Sequence, residues 1–214
     1  TDYERLRQLM DEHPEVASTI VGVDFCNIEE GLPPKIMRAF FERLAYDNAL
    51  HPERALEVGY HVGESFFDKS LESSVRWCHE AALLGVKRLG HATVLGLDPA
   101  VSVSRRSDAH ENERVSERLD QIAYDLEHKV RLPSYGVDVD SQALEEERDG
   151  LCNRKPDETV QRLYDADRLE EIRCRQSSVL DCLTEMGTVI ESCPTSNLRI
   201  GGVPRPEDHP VHRF

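Results

Sequence analysis

Apolar positions along this chain recur with two different periods, and the alternation between those periods suggests an architecture. Residues 3–12 mix charged and apolar side chains at helical spacing, with Leu6, Leu9 and Met10 on one side. The run from Ile20 to Phe25 is short and β-branched, which predicts a buried strand over 19–25. Pro33 and Pro34 suit the first turn of a helix. Ile36, Met37, Phe40, Phe41 and Leu44 then follow at three- and four-residue intervals as far as His51-Pro52. A second strand is predicted over 56–61. The unit repeats with a helix over 70–84, carrying Leu71, Val75, Cys78 and Ala82 on one stripe and stopped by Gly85, and a third strand over 86–91. A long helical pattern from about Glu158 to Met186 closes at Gly187. A fourth strand, 188–194, ends at Pro194.

Strands separated by helices of this length imply a parallel sheet with crossover helices, its strands buried on both faces. The fold class is therefore α/β, in one domain over residues 1–214. Residues 98–156 interrupt the rhythm. They hold RRSDAHENE, a helical stretch from Val115 to Lys129 and the acidic run LEEERDG. They predict a largely helical insertion with one or two helices, mobile joints and no strand. No P-loop or GxGxxG string is present.

Composition narrows the function classes. The 214 residues include 26 Lys and Arg against 41 Asp and Glu, a net charge of −15 that disfavours contact with nucleic acid. No apolar run approaches membrane-spanning length, and the first ten residues lack a signal-peptide core. The six cysteines are scattered without a CxxC pair, as expected of a reduced, cytoplasmic chain.

Candidate chemistry gathers at the C-terminal ends of the predicted strands, where α/β folds place their sites. Asp24 ends the first strand, His61 the second, with Gly63-Glu64 just beyond, and His91 the third. His61 suits a zinc ligand. Glu64 would protonate a substrate ring nitrogen if burial raised its pKa. His91 would accept a proton from an activated water. The set points to hydrolysis at an electron-poor carbon.

The strings VGVDF, HVGES, KRLGHA and ESCPTSNL, in this order, resemble the adenosine deaminase family over residues 16–95 and 186–212. The resemblance implies a partial (β/α)8 TIM barrel of the metal-dependent hydrolase type, comprising roughly strands four to seven. It also implies zinc-dependent deamination of adenosine or a related adenine nucleoside to the inosine form, with release of ammonia. HVGE is similar to the family's HAGE, making His61 a zinc ligand and Glu64 the acid. GHA is similar to GHG, making His91 the residue that orients and deprotonates the attacking water. CPTSN and the later His209-Pro210 match a stretch that acts mainly through shape. Gly63, Asn27 and Glu29 fall where the family contacts its purine, although Asn27 replaces a glycine there.

The family's HxH zinc pair has no counterpart upstream of Asp24, and its terminal Asp has none either. The 214 residues alone are accordingly expected to bind zinc weakly and to be inactive, with self-association or a further protein segment completing the barrel. Two alternatives stay open from sequence. One is deamination of ATP-like adenine nucleotides in a defence-type assembly, with Arg88, Arg105, Arg106 and Arg199 available for phosphates. The other is an inactive barrel serving as a scaffold.

Overall fold

The computed structural model describes residues 1–26, 28–106, 109–199 and 202–214. The chain enters through helices α1 (Asp2–Glu12) and α2 (Pro14–Ala17) and passes into strand β1 (Gly22–Phe25). Helix α3 (Arg38–Leu50) leads to β2 (Glu57–Val62), α4 (Leu71–Leu83) to β3 (Arg88–His91). After α5 (Pro99–Ser104) come β4 (His110–Arg114), α6 (Val115–Glu127), α7 (Ser141–Leu151) and β5 (Thr159–Leu163). Helix α8 (Ala166–Glu185), β6 (Val189–Glu191) and α9 (Pro194–Arg199) complete the order. Strands β1, β2, β3 and β6 form one sheet in that spatial order, each pair parallel. The fold is thus mixed α/β, a parallel sheet with helical insertions. No helix among the described residues is long and apolar enough to cross a membrane.

The strand–helix rhythm has local causes. Ser70 caps α4 by accepting the Ser73 N–H at 3.0 Å, and Asp165 caps α8 by accepting the Arg168 N–H at 2.9 Å. Gly85 and Gly187, the predicted stops, take φ of +106° and +65° just past the two helices, where a Cβ would be strained.

Val58, Tyr60, Val62 and Leu89 alternate onto one face of the sheet and are buried there in a core with Phe41 and Leu44 of α3. Val75, Trp77 and Cys78 of α4 and Ile172, Val179 and Leu183 of α8 belong to the same core. The opposite face departs from expectation. Burial on both faces was predicted, yet Asp24, Glu57, Arg88, Val189 and Glu191 are exposed. These residues share the parity that points away from the helices, and most are charged; apolar alternation covers one face only.

The insertion also departs from the sequence reading. Its described residues hold three α-helices, α5 to α7, beside a short 3-10 helix (Leu132–Tyr135), and its β4 pairs antiparallel with β5, which the helical pattern had absorbed. The β4 sequence HENER contains no apolar residue, and the side chains it buries are Glu111 and Glu113. A period of two carried by carboxylates is invisible to a hydrophobic pattern.

Candidate functional site

Glycines in the sheet make room for the site. Parallel register sets Gly59 between Asp24 and Arg88, and Gly90 between His61 and Glu191, all on the exposed face. A Cβ on Gly90 would lie 2.7 Å from the His61 ring, so the missing side chain is what lets that imidazole lie across the neighbouring strand. His91 has the opposite parity, shared with buried Leu89, yet its ring reaches His61. The backbone at His91 and Ala92 is left-handed, with φ of 68° and 45°, and this departure from strand geometry accompanies the turn of the ring. Left-handed backbone at such residues costs about 1–3 kcal/mol and concentrates at functional sites.

The groups at the strand ends form one connected set. His61 Nδ1 and His91 Nε2 are 3.1 Å apart, and His61 Nε2 faces Asp24 Oδ2 at 3.4 Å. His91 Nδ1 lies 3.3 Å from Glu64 Oε1. Asn197, in α9 beyond β6, points its amino group at both: 3.1 Å to Glu64 Oε1 and 2.8 Å to His91 Nδ1. Behind it, His209 Nε2 meets Asn197 Oδ1 at 3.1 Å, and His209 Nδ1 accepts the Val211 N–H at 3.1 Å.

Burial raises Glu64 above the ordinary carboxylate range, against the Asn197 hydrogen bond and nearby His61, which lower it. Burial lowers His91 below the ordinary imidazole value, helped by His61 and opposed by Asn197. His209 is lowered for the same reason, with His212 adding to the effect. A carboxyl moved up beside an imidazole moved down brings the proton affinities of the two groups closer together.

His61, Glu64 and His91 border a cavity of about 480 Å³, whose wall also includes Cys26, Glu29 and Phe67. That volume falls within the range of small-molecule sites, roughly 300–1,000 Å³. The structure thus brings together His61, Glu64 and His91 from the candidate set. Glu29 also lines the cavity, but its carboxylate turns into the fold, accepting the N–H groups of Gly63, Glu64 and Ser65 at 3.1, 3.1 and 3.0 Å. Lys69 stands behind it at 3.5 Å, over the Trp77 ring. The geometry makes Glu29 the clamp on the turn that carries Glu64. Gly63, at φ of +73°, is that turn's pivot. Its carbonyl accepts Val94 N–H and Thr93 Oγ1, and a Cβ there would strike Cys78 Sγ at 2.7 Å. Asn27 lies outside the described residues.

Zinc is a separate question, and the described residues do not fit it by themselves. His61 Nε2 and Asp24 Oδ2 are close enough to share an ion, but a zinc site wants three or four protein donors. Among the described residues no group of three or more His, Cys, Asp or Glu side chains is placed to hold a metal.

Among the arginines available for phosphate, Arg106 is engaged by Glu111 at 3.0 Å and by the carbonyls of Phe66 and Lys69. Arg88 pairs with Glu191 at 3.1 Å. The sequence reading set Cys193 to Asn197 just after the fourth strand but gave that stretch and His209-Pro210 mainly a shape role, so neither Asn197 nor His209 was assigned to the site. The signal available to it was an amide just beyond the fourth strand, where the other strand ends already carried chemistry. No family model and no curated sequence matches the chain.

Proposed function

We propose that the strand-end cavity is the acid–base part of a hydrolytic deaminase acting on adenosine or a related adenine nucleoside, as the resemblance to the adenosine deaminase family implies. The observation that carries this reading is the Glu64–Asn197–His91 constellation at the cavity edge, with Glu64 raised and His91 lowered by burial. Glu64 in its neutral form donates a proton to a ring nitrogen and leaves the adjacent amino-bearing carbon electron-poor. His91, held neutral, accepts a proton from the water that adds to that carbon. His91 returns that proton to the amino group, which leaves as ammonia, and the added hydroxyl passes its proton back to Glu64 as the ring carbon becomes a carbonyl.

The reading includes zinc, towards which His61 and Asp24 offer two donors. The remaining donors come from polypeptide that covers the bare face of the sheet, and no step above runs through the metal. Two features support such a covering. Parallel sheets are ordinarily covered on both faces, and among the described residues β1 and β6 are edge strands without further partners in this sheet. The partial barrel of the resemblance is the arrangement that satisfies both. With Arg106 and Arg88 engaged elsewhere, a nucleoside is favoured over a nucleotide.

The test follows the ultraviolet change as adenosine becomes inosine, with equimolar zinc. Residues 1–214 alone should show no turnover, and protein that includes the covering segment should be zinc-dependent. In the active form Glu64→Gln should lower turnover by about 10²–10⁴-fold, the usual value of general acid–base help. Full activity in Glu64→Gln would overturn the assignment of the acid.

A further inference from the structure

An aromatic side chain stands half open on the wall of the strand-end cavity. Phe67 is 48% exposed, and both it and the more exposed Ile28 line the space that Glu64 and His91 border. A lone exposed apolar residue needs no explanation. Phe67 differs in how firmly it is held. Its ring packs on that of Phe66, which is fully buried, with centroids 5.0 Å apart and planes inclined by 35°. Gly202, at φ of +70°, brings its backbone close to both rings: a Cβ there would lie 2.9 Å from Phe66 Cζ and 3.3 Å from Phe67 Cζ. The backbone on either side of Phe67 is tied down as well. Glu29 accepts the N–H groups of Gly63, Glu64 and Ser65, and Lys69 Nζ donates to the Ser65 carbonyl at 3.0 Å. Arg106 donates to the carbonyls of Phe66 and Lys69. Glu64 and Phe67 therefore ride on one clamped turn. Among the described residues no Lys or Arg lines this cavity, whereas Glu30 and Glu64 do, which disfavours an anionic ligand.

We propose that Phe67 is a substrate-contacting residue of this site: its open side stacks on a flat, uncharged heteroaromatic ring whose edge reaches Glu64. A phenyl ring already packed on a buried neighbour loses little freedom when a second ring settles on it, and aromatic stacking asks only for a planar partner. Ile28 adds apolar wall beside it. Because plate and acid share one clamped turn, the fold itself sets how far a stacked ring lies from the Glu64 carboxyl. Naming that ring as adenine rests on the deaminase reading; the stack itself does not depend on turnover.

The experiment is NMR on the full 214-residue chain with ¹³C-labelled phenylalanine rings, titrated with millimolar adenosine and, separately, with ribose. Adenosine should give intermolecular Overhauser contacts between its base protons and the Phe67 ring, and ribose should give none. Phe67→Ala should weaken adenosine binding by about 5–150-fold, the worth of one stacked base. Phe67→Tyr should bind as the parent does, and Phe67→Leu, apolar without a plane, should bind less well than Phe67→Tyr. A parent spectrum in which adenosine leaves the Phe67 ring untouched overturns the proposal, and so does parent affinity in folded Phe67→Ala. Should Phe67→Ala fail to fold, the parent contacts and the comparison of Phe67→Leu with Phe67→Tyr decide the matter. In the active form Phe67→Ala should raise KM more than it lowers kcat, because the stack is present before and during the reaction. A lower stability with KM unchanged would show that covering polypeptide, and not substrate, rests on Phe67; that result overturns the stack and leaves the deaminase reading standing. Adenosine held on Phe67 without any turnover would count against the deaminase reading and leave the stack standing.

Discussion

Two clusters of ionisable side chains in this molecule, one buried around α4 and one half-buried at the strand ends, differ in what faces the carboxylates. Around α4 the partners are guanidinium groups. Glu72 accepts two bonds from Arg168 at 2.7 and 3.0 Å. Arg76, fully buried, reaches Glu80 and Glu117 at 2.6 Å each. At the strand ends the partners are imidazoles and one amide, and among the described residues no Lys or Arg pairs with Glu64, His61 or His91. Arg168 holds the Glu72 carboxylate ionised well below the ordinary carboxylate range, and such a matched pair fixes a fold and carries no chemistry. An amide and two imidazoles leave each group able to take or release a proton. The difference separates scaffold from site without reference to any relative.

The comparison breaks most easily at Arg168. Burial alone would push Glu72 up, but Arg168 and Arg162 outweigh it and hold Glu72 at about 2. Arg168→Leu leaves that carboxylate buried without its bidentate partner, and should destabilise the chain by about 3–5 kcal/mol in urea unfolding. Adding Glu72→Gln should recover part of the loss, because the uncompensated charge is then gone. A loss below about 1 kcal/mol for Arg168→Leu would erase the distinction between the clusters.

A finer test uses two neighbouring carboxylates that respond to pH in opposite directions. The folded-state pKa of Glu72 lies below the ordinary 4.5, so its contribution is present above that value and is lost as pH falls toward 2. Glu113 is raised, first by burial and then by the charge of Glu72, against hydrogen bonds from Ser70 and Ser73 and the pull of Arg118. One of its oxygens, Oε2, has no hydrogen-bond partner. A raised carboxyl resists ionisation in the fold, so it opposes folding above about pH 4.5 and ceases to do so below. Glu113→Gln should therefore be more stable than the parent at pH 7, the gap closing as pH drops below 4.5. Urea midpoints at pH 7 and pH 4 measure it, and a gap that widens on acidification would reverse the sign assigned to Glu113.

The same two clusters mark what the sequence can and cannot show. β1, β2, β3 and β6 are legible because short, largely apolar runs alternate with stretches of helical period that end at His51-Pro52, Gly85 and Gly187. His61, Glu64 and His91 are legible because each sits at, or just beyond, the end of such a strand. β4 is not, since its inward residues are Glu111 and Glu113, and their meaning depends on Arg106, Ser70 and Tyr164 arriving from elsewhere. Asn197 fails for a related reason. Its contact with Glu64 spans 133 residues and its contact with His91 spans 106, and nothing local to CPTSN reports either. The Glu29 clamp reads as a residue facing substrate until three backbone N–H groups are seen to occupy its oxygens.

The smallest expected effect on stability is also the sharpest probe of the strand-end cluster. Gly90→Ala places a Cβ 2.7, 3.0 and 3.1 Å from His61 Cδ2, Cγ and Nε2. The obstructing group is a side chain on the open face, about a third exposed, and it can swing away from the sheet. Stability should therefore change by about 1 kcal/mol or less, within the range of ordinary surface substitutions. The swing takes His61 Nδ1 away from His91 Nε2 and Nε2 away from Asp24, which are its two contacts in the site. His61 should then lose both contacts, read as a change in its ring signals by NMR, while the His209–Asn197–His91 bonds persist, since none of them passes through Gly90. Gly63→Ala supplies the contrast. There the Cβ meets Cys78 Sγ at 2.7 Å and Val94 Cγ1 at 2.9 Å inside the core, at a φ of +73°, so it should cost more stability than Gly90→Ala. Equal losses for the two glycines would show that the His61 side of the sheet is packed as tightly as the helix side, and the division between scaffold and site drawn from the two clusters would fail.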